Sequence, residues 1–379
     1  MIGHPDLSIR RIWRLVQLTS YQFRIGVMVL KLFLSNAKKD FTVVALTLGL
    51  GFAASTQAAV IIPKKTGFSG YLNLGVGGVS VESNMLASIM SGNLDVGDKE
   101  INNFTDSPNG SEGGAIPVFN FEVSYTFAST RTQLHVGNLL EDFLSFDTST
   151  IAGVRQDVGR AGLVGASLQR TSFDTQVWSD PYLTDAKRKD TDRTSKGFRL
   201  YWQQIMGSGL ELRYSTSEID IDEERSGQSL LYLTSQQRKL LDRNGDVNRF
   251  QVSYELSSDN KAHILTPALT YVDRDFDGKA MANDGGTAAL NYIYQHNDRW
   301  RYVLNASYGD LDFKEANPIY DEKDSATNYG ISATVFYTKP FGWKDWSFNA
   351  TAGWFDEDHD IDFYDNSVSL FTVGMFRRF

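Results

Sequence analysis

One acidic run of the sequence has the spacing of a calcium-binding loop. Asp273, Asp275 and Asp277 alternate along the chain, Gly278 follows them, and Asp284 occupies the twelfth position counted from Asp273. Calcium prefers carboxylate oxygens, and this order of acids and glycine is the start of a calcium loop. The sequence lacks the flanking helices and the final glutamate of such a loop. We therefore predict either a calcium-like site or, as the simpler alternative, a solvated acidic surface that binds divalent cations loosely.

A second acidic run contains a histidine with carboxylates on both sides. His359 lies between Asp358 and Asp360 in the run 356–365. A histidine held by carboxylates can act as a general base that activates a nucleophile. The other histidines beyond residue 58 are His135, His263 and His296. No G-x-S-x-G sequence accompanies them, so a hydrolase that uses His359 is the least favoured of the functional hypotheses.

The composition bounds the class of protein. The chain has 379 residues, no cysteine, 32 glycines and 13% aromatic residues, so disulfides are excluded. Its only long apolar stretch, residues 41–54, is too short to cross a bilayer as a helix. Lys38 and Lys39 precede this stretch and small residues up to Ala58 follow it, which is the pattern of a signal peptide. We therefore predict an N-terminal extension with a signal peptide over residues 1–58.

The predicted exported domain, residues 59–379, is strongly acidic. Residues 1–58 hold seven of the 37 Lys and Arg and two of the 46 Asp and Glu, so the remainder carries a formal charge near −14. Nucleic acids need a basic surface, which excludes them as expected partners. The acidity instead suits a surface that meets cations. Because the leader is unusually long and basic, Met28 is an alternative start of translation.

Beyond residue 66 the apolar residues recur at every second position, which indicates β-strands with one apolar face. The clearest example is residues 118–127, where polar residues alternate with Phe119, Phe121, Val123, Tyr125 and Phe127. Residues 249–256 repeat the pattern. A soluble β-sandwich can alternate in the same way, so alternation alone does not decide the fold class.

The spacing of the aromatic residues adds the more specific signal. Four predicted strands carry aromatic pairs eight residues apart on the apolar face: Phe119 and Phe127, Trp300 and Tyr308, Tyr329 and Tyr337, and Trp346 and Trp354. Eight residues of a tilted strand climb about 20 Å, close to the roughly 25 Å apolar band of outer-membrane barrels. The pairs therefore predict two aromatic girdles in the outer membrane of a Gram-negative bacterium, among lipid and lipopolysaccharide.

Short turns alternate with long polar loops, an asymmetry that is typical of outer-membrane barrels. Long loops are expected at 82–115, 173–194 and 224–246. The strands between the loops predict an all-β fold, a transmembrane antiparallel up-and-down β-barrel of 14 strands, with 12 as the fallback. The last strand ends on Phe379, which resembles the terminal signal that the barrel assembly machinery reads in outer-membrane proteins, although Arg377 departs from that pattern.

The polar face of the predicted strands carries charges of both signs. The residues expected to line the lumen are Glu122, Arg199, Glu211, Arg213, Arg249, Glu255 and Arg301. They either create a transverse field that orients a permeating solute or pair across the lumen and close it. In two long loops, Ser83–Met90 and Ser229–Leu241 have helical apolar spacing. That spacing predicts short capping helices above the rim or segments that fold inward.

Several strings of the sequence resemble an outer-membrane β-barrel family catalogued only as a domain of unknown function, family 2860. Among them are GFSGYLNLG at residues 67–75 and DFDGKAMAND at residues 275–284. The resemblance covers the chain from about Gly67 to Phe379 and implies no activity, substrate or catalytic residue.

The functional expectation is a porin-like passive channel for small solutes. The first alternative is a surface structural or adhesion barrel with a closed lumen and cation-binding acidic loops, and the second is the hydrolase at the rim. No cofactor is expected beyond loosely bound Ca2+.

Overall fold

The computed structural model describes residues 61–379 except residues 143 and 145. Residues 61–378 belong to one compact unit, apart from residues 143 and 145, which are not described. The predicted signal peptide lies outside the described residues. Within the described part of the chain, no helix is long and apolar enough to cross a membrane.

Fourteen long strands follow one another along the described residues. They are β1 (Gly67–Ser83), β2 (Glu112–Phe127), β3 (Thr132–Asp142), β4 (Asp147–Asp157), β5 (Leu163–Phe173), β6 (Asp190–Gln203), β7 (Leu210–Ile221), β8 (Gly245–Tyr254), β9 (His263–Phe276), β10 (Asn283–Gln295), β11 (Trp300–Phe313), β12 (Ser325–Thr338), β13 (Trp346–His359) and β14 (Asn366–Arg378). The pair Leu256–Ser257 continues β8. The connections contain the short strands Leu86–Ile89, Leu94–Asp95 and Thr175–Trp178, helix α1 (Ser235–Lys239), and single turns of 3-10 helix at Gly159–Ala161, Ile205–Gly207, Pro340–Gly342 and Asp362–Tyr364.

The sheet closes on itself because β14 pairs with β1. Their antiparallel register runs from Tyr71 opposite Arg378 to Ser83 opposite Asn366. Each of the other long strands is antiparallel to the strands before and after it, so the prediction of a closed 14-strand barrel is confirmed. Phe379 directly follows β14 in the sequence, and its role as an assembly signal stays a prediction.

Side chains alternate between the two faces of this wall. On β2, Phe119 and Phe127 are 48% and 41% exposed, whereas Glu122 and Ser124 are buried. The outward positions of other strands are also apolar and exposed, among them Leu168, Leu269, Ile331 and Phe371. A continuous apolar outer surface requires hydrocarbon around it, and the molecule is therefore an outer-membrane β-barrel.

The aromatic residues expected in girdles lie on this outer face in rows. In one row Trp300 is opposite Tyr337, with ring centroids 4.8 Å apart. In another row Tyr308 is opposite Tyr329, whose ring lies 5.5 Å from that of Trp354. The two rows are separated by eight residues along each of the strands β11 and β12, which corresponds to about 20 Å of height.

The two loop predictions have different outcomes. A helix over Ser83–Met90 is wrong, because Leu86–Ile89 is a strand whose four residues are all buried. This segment pairs with Thr175–Trp178 from a distant loop, and the pairing overrides its helical spacing. In Ser229–Leu241 a short helix does form, α1, and a capping box closes its N-terminus.

Gly75 allows a close approach at the seam between β1 and β14. A Cβ atom at Gly75 would collide with the carbonyl oxygen of Val373, whereas a Cβ atom at Gly78 would meet only the carbonyl oxygen of Gly114, at 3.9 Å. We expect Gly75→Val to lower the free energy of unfolding by about 1–3 kcal/mol, because the backbones must move apart. Gly78→Val is the matched control and should have little effect. Denaturant midpoints in detergent measure both variants, and equal midpoints would contradict this account of the seam.

Candidate functional site: the lumen and its cap

A buried ion pair lies in the polar wall of the lumen. Arg155 of β4 donates to both carboxylate oxygens of Glu122 of β2, over 2.8 Å to Oε1 and 2.5 Å to Oε2. The hydroxyl of Ser124 donates to Oε1 as well, at 2.9 Å. The charged side chains are only 5% and 7% exposed. Because a buried charge is tolerated only when it is paired, this bidentate contact fixes both side chains against the wall.

The same arginine extends the network to neighbouring strands. Its Nε donates to the hydroxyl of Tyr201 of β6 at 3.0 Å, and one of its terminal nitrogens donates to Gln133 of β3 at 3.2 Å. The ring of Tyr201 lies directly against Gly165 of β5, where any Cβ atom would collide with it. Gly165 is therefore needed for Tyr201 to reach Arg155.

A second group of charges continues along the wall at β6 and β7. Glu211 accepts a hydrogen bond from Arg213 at 2.6 Å and another from Gln203 at 3.0 Å. The side chains of Glu211 and Arg213 are 10% and 12% exposed. Glu122 and Glu211 are thus both covered by their partners.

The wall formed by β10–β14 and β1 presents mainly neutral polar groups. Its hydrogen bonds join Asn73 to Asn349, Asn291 to Asn305, Asn305 to Ser332, and Thr334 to Thr351, over 2.8, 2.5, 3.1 and 2.9 Å. Each of these bonds joins strands that are adjacent or separated by one strand. The bonds of Glu122 and Glu211 described above also stay within one strand or reach a strand no farther away than that. These side chains pair along the wall and not across the lumen.

The structure places the predicted lumen residues as follows. Glu122 and Glu211 are buried in the inner wall. The half-buried inward residues are Arg199, Arg213, Arg249 and Arg301. Glu255 lies between the two segments of β8, beside a short turn.

Sequence reasoning missed Arg155 because β4 and β5 alternate poorly, with Gly153 and Gly165 at inward positions. The residues next to Glu122 in the sequence do not indicate that its partner is Arg155, which is 33 residues away.

An apolar cluster occupies the outer end of the barrel. Val81 of β1, Val368 of β14 and Ile221 of β7 belong to one cluster of buried side chains, together with Leu86 and Val177 from the loops. In a ring of 14 strands β7 stands opposite β14, so the cluster reaches from one wall to the other. We call the outer loops 84–111, 174–189, 222–244, 314–324 and 360–365 the cap.

A buried arginine ties the cap loops together. Arg188 donates to the carbonyl oxygens of Asn84 at 2.9 Å, Pro181 at 3.1 Å and Asp98. Its guanidinium also stacks over the ring of Trp178, 4.5 Å from the ring centre. Burial lowers the pKa of Arg188 to about 10. Three separate backbone segments therefore depend on one side chain.

A second apolar cluster lies within the cap. It joins loop residues such as Leu233, Leu241 and Phe363 around Tyr182. The Tyr182 hydroxyl shares a 2.6 Å hydrogen bond with the hydroxyl of Tyr364. The cap is thus a folded layer with its own core.

His359 is buried at the junction of β13 with the cap. Its Nδ1 lies 2.8 Å from a carboxylate oxygen of Asp324, and its Nε2 lies 3.4 Å from Glu357. Burial alone would lower the pKa of His359, but the hydrogen bonds to Asp324 and Glu357 outweigh it and raise the pKa to about 9. A protonated, buried imidazole has no lone pair to accept a proton, so this geometry does not favour the hydrolase hypothesis.

The calcium-like run is brought together around a lysine. Lys314 donates to Asp273 at 2.7 Å and to Asp275 at 3.5 Å, and Lys279 donates to Asp275 at 2.7 Å. Across the described residues, no group of three or more histidine, cysteine, aspartate or glutamate residues is arranged to hold a metal ion. The lysine ammonium groups compete with any cation for these carboxylates. A site formed by Asp273, Asp275 and Asp277 stays a prediction.

A family model described as a protein of unknown function (DUF2860) matches residues 67–376. No curated protein matches the chain.

Three solved structures are among those similar to the chain. A FadL homologue of Pseudomonas aeruginosa is 10% identical with a TM-score of 0.43, over 82% of this chain and 90% of that one. The outer membrane channel DcaP of Acinetobacter baumannii is 9% identical with a TM-score of 0.40, over 85% and 100%. A loop deletion mutant of OmpT, an outer membrane protein of Vibrio cholerae, is 11% identical with a TM-score of 0.38, over 83% and 99%.

The contacts of Arg188 predict that loss of this side chain loosens the cap loops. Arg188→Met should leave three loop carbonyls without their donor and cost about 1–3 kcal/mol locally. We expect chymotrypsin to cut the cap loops faster in this variant than in the wild type. Lys187→Met is the matched control, because Lys187 is the exposed neighbour. If both variants are cut at the wild-type rate, Arg188 does not hold the cap.

The environment of His359 predicts that the stability of the cap depends on pH. The folded-state pKa of about 9 lies above the ordinary value of 6.5. Protonation therefore stabilises the cap fully below about pH 6.5, and this contribution, on the order of a few kcal/mol, is lost as the pH rises through about 9. Hydrogen-exchange protection factors of loops 314–324 and 360–365 should fall over this range. His359→Gln should flatten the fall, and an unchanged profile in that variant would contradict the assignment.

Proposed function

The chain belongs to the family described as a protein of unknown function (DUF2860), and we propose that it is a narrow, selective outer-membrane channel for small polar solutes. In this proposal the folded cap closes the outer mouth in the state described above. Opening of the cap admits solute to the polar lumen.

One observation carries the proposal: the inner wall is polar and charged at the depth where the outer wall is apolar. Residues such as Glu122, Arg155 and Asn305 are held inward, while Phe119 and Leu304 face outward on the same strands or their neighbours. A barrel that served only as a scaffold could fill its interior with apolar side chains at lower cost, since buried charges are expensive. Polar groups that pair along the wall suit a path for water and solute.

The cap supports a selective channel over an open porin. Its apolar cluster joins Ile221 to Val368, on opposite walls, so solute meets a barrier before it meets the polar lumen. The cap loops are held by a small number of polar contacts, of which those of Arg188 are the most concentrated. A closed layer of this kind can open without disturbing the strands below it.

The same cluster favours a second candidate function. If the cap never opens, the molecule is a structural or adhesion barrel, and its acidic loops bind cations or partners outside the cell. Export through the predicted signal peptide, recognition of Phe379 by the assembly machinery and contact with lipopolysaccharide are part of both proposals.

Conductance separates the two candidates. Leu86 is buried in the cap cluster, and Leu231 of the outer loop 222–244 is 89% exposed. A carboxylate cannot remain in an apolar cluster without a partner, so Leu86→Asp should open the cap. We expect single-channel steps in planar bilayers that are several-fold larger or more frequent for Leu86→Asp than for the wild type. Leu231→Asp is the matched control and should behave as the wild type.

The outcome that contradicts the channel is specific. If folded Leu86→Asp barrels, identified by their heat-dependent migration on gels, carry no more current than the wild type, the lumen is closed below the cap. Arg188→Met provides a second way to loosen the cap without a charge in the cluster. Absence of current in both variants would favour the structural barrel.

A further inference from the structure

The outer face of the barrel has an apolar groove that crosses β11 to β14 and β1. The groove has a volume of about 630 Å³, within the range of roughly 300–1,000 Å³ that ligand pockets have. The side chains around it are mostly apolar, among them Leu74, Trp300, Tyr337, Phe348 and Val373. Because this surface faces the membrane, a groove of this kind can hold a hydrocarbon chain.

Two neighbouring rows of outward side chains form the groove. The row nearer the short turns consists, strand by strand, of Trp300, Tyr337, Phe348, Met375 and Leu74. In the next row Ala350 lies between Val335 and Val373. The surface is recessed there because the alanine side chain is shorter than the valines beside it. Gly75 and Gly374, which are opposite each other at the seam, also line the groove.

Arg377 lies on the outer face at the end of the groove nearest the short turns. It is two residues beyond Met375 on β14, and its guanidinium stacks over the ring of Trp346, 5.4 Å from the ring centre. The Nε atom of Arg377 is buried and has no hydrogen-bond partner among the described residues. In that part of the chain Arg377 also belongs to no ion pair. A guanidinium on a membrane-facing surface therefore needs an anionic partner from outside the protein.

A second guanidinium lies at the same end of the groove. Arg299, in the turn between β10 and β11, donates to the hydroxyl of Tyr337 at 2.8 Å, and its guanidinium lies 5.9 Å from the centre of that ring. Tyr337 is on β12 and Trp346 is on β13, and neighbouring strands stand about 4.8 Å apart. The guanidinium groups of Arg299 and Arg377 thus lie over adjacent strands and flank the end of the groove.

The other charges at this end leave an excess of cations. From the β10–β11 turn to the end of β14, the charged residues outside the lumen are Asp298, Arg299, Lys339, Lys344, Asp345 and Arg377. Neither aspartate forms an ion pair with the described residues. Arg378 faces inward over the ring of Phe376, and the carboxylate of Phe379 offsets its charge. Four cations against two acids make this end of the groove attractive to an anion.

We propose that the groove binds an anionic phospholipid of the periplasmic leaflet, with an acyl chain against Ala350 and the headgroup phosphate between Arg299 and Arg377. The short turns of outer-membrane barrels are at the periplasmic end. Guanidinium groups match phosphate oxygens with paired donors, and basic pockets beside membrane-spanning segments bind anionic headgroups. Tryptophan and tyrosine side chains lie at the depth of the headgroups. The groove is outside the lumen, so the proposal holds for either function proposed above.

A second copy of the chain is the alternative occupant of the groove. A two-fold interface uses the same patch of both copies, so a dimer through the groove would bring two Arg377 side chains close together. Like charges repel each other, most strongly where water is excluded. A phospholipid instead brings the opposite charge to this arginine, which favours the lipid.

Lipid binding to the wild-type barrel tests the headgroup. The full chain in a non-ionic detergent is titrated with dioleoylphosphatidylglycerol, which is anionic, or with dioleoylphosphatidylcholine, which is zwitterionic. Native mass spectrometry counts the lipids that remain bound. We expect phosphatidylglycerol to bind at least about fivefold more tightly, because two guanidinium groups meet its phosphate. Equal binding of the two lipids would overturn the proposal.

Two kinds of variant test the site. Arg299→Gln with Arg377→Gln should remove most of the preference for phosphatidylglycerol, whereas Arg160→Gln should keep it, because Arg160 is exposed in the turn between β4 and β5 on another wall. Ala350→Phe should weaken phosphatidylglycerol binding severalfold, because the larger side chain fills the groove. Ala352→Phe is its matched control, since Ala352 is the next outward residue of β13. Heat-dependent migration on gels identifies the folded barrels.

Two further results would overturn the proposal. If phosphatidylglycerol binds equally well to the wild type, the glutamine pair and Ala350→Phe, the lipid binds elsewhere on the barrel. If the wild type is a dimer that Ala350→Phe separates into monomers, the groove is an interface between copies of the chain. A monomeric wild type whose lipid preference is lost in the glutamine pair supports the phospholipid site.

Discussion

The structure depends on one constraint, which is that a backbone amide inside a bilayer has no water to bond with. The chain meets it by pairing β14 with β1. Where the ladder between β2 and β3 stops, the side chain of Asn138 replaces it, accepting from the Phe121 N–H and donating to the Phe119 carbonyl, both over 2.8 Å. Pro117, next along that edge of β2, has no N–H to satisfy. In a closed barrel, backbone hydrogen bonds between two strands can therefore be missing only where a side chain such as that of Asn138 replaces them or where a proline has no N–H to pair.

Closure also places the two faces of each strand in different solvents. The inward polar and charged side chains therefore need hydrogen-bond or ion-pair partners inside the barrel. The ion pair of Glu122 and Arg155 is held by a tyrosine that needs Gly165 beneath its ring. The cap differs from the barrel because its loops lie in water and bury apolar side chains in a core of their own. The protein thus combines a membrane barrel whose interior is polar with a cap whose interior is apolar, as in water-soluble proteins.

The strands could be predicted from the sequence because period-two alternation is local, and the closure followed because a last strand such as 366–378 needs a partner. The cap could not be predicted in the same way. Leu86–Ile89 has helical spacing, yet its partner Thr175–Trp178 lies in a distant loop and imposes a strand. Arg188 binds backbone carbonyls, which leave no trace in the residue types around it. Arg155 pairs with Glu122 across a strand, a relation that only the register reveals.

The acidic cap loops lie above the lumen, and residues 59–379 are acidic overall. At physiological ionic strength, charges are screened over about 8 Å, so carboxylates in the cap act weakly on a lumen below them. Among those carboxylates, Glu223 is paired locally with Lys189, and Lys314 of the cap is paired with Asp273 of β9. Inside the lumen the protein wall reduces screening, so Glu122 and Arg155 act more strongly on each other than the exposed charges of the cap do. The local pairing of charges, more than the net charge of the molecule, therefore sets the electrostatic field at each depth of the barrel.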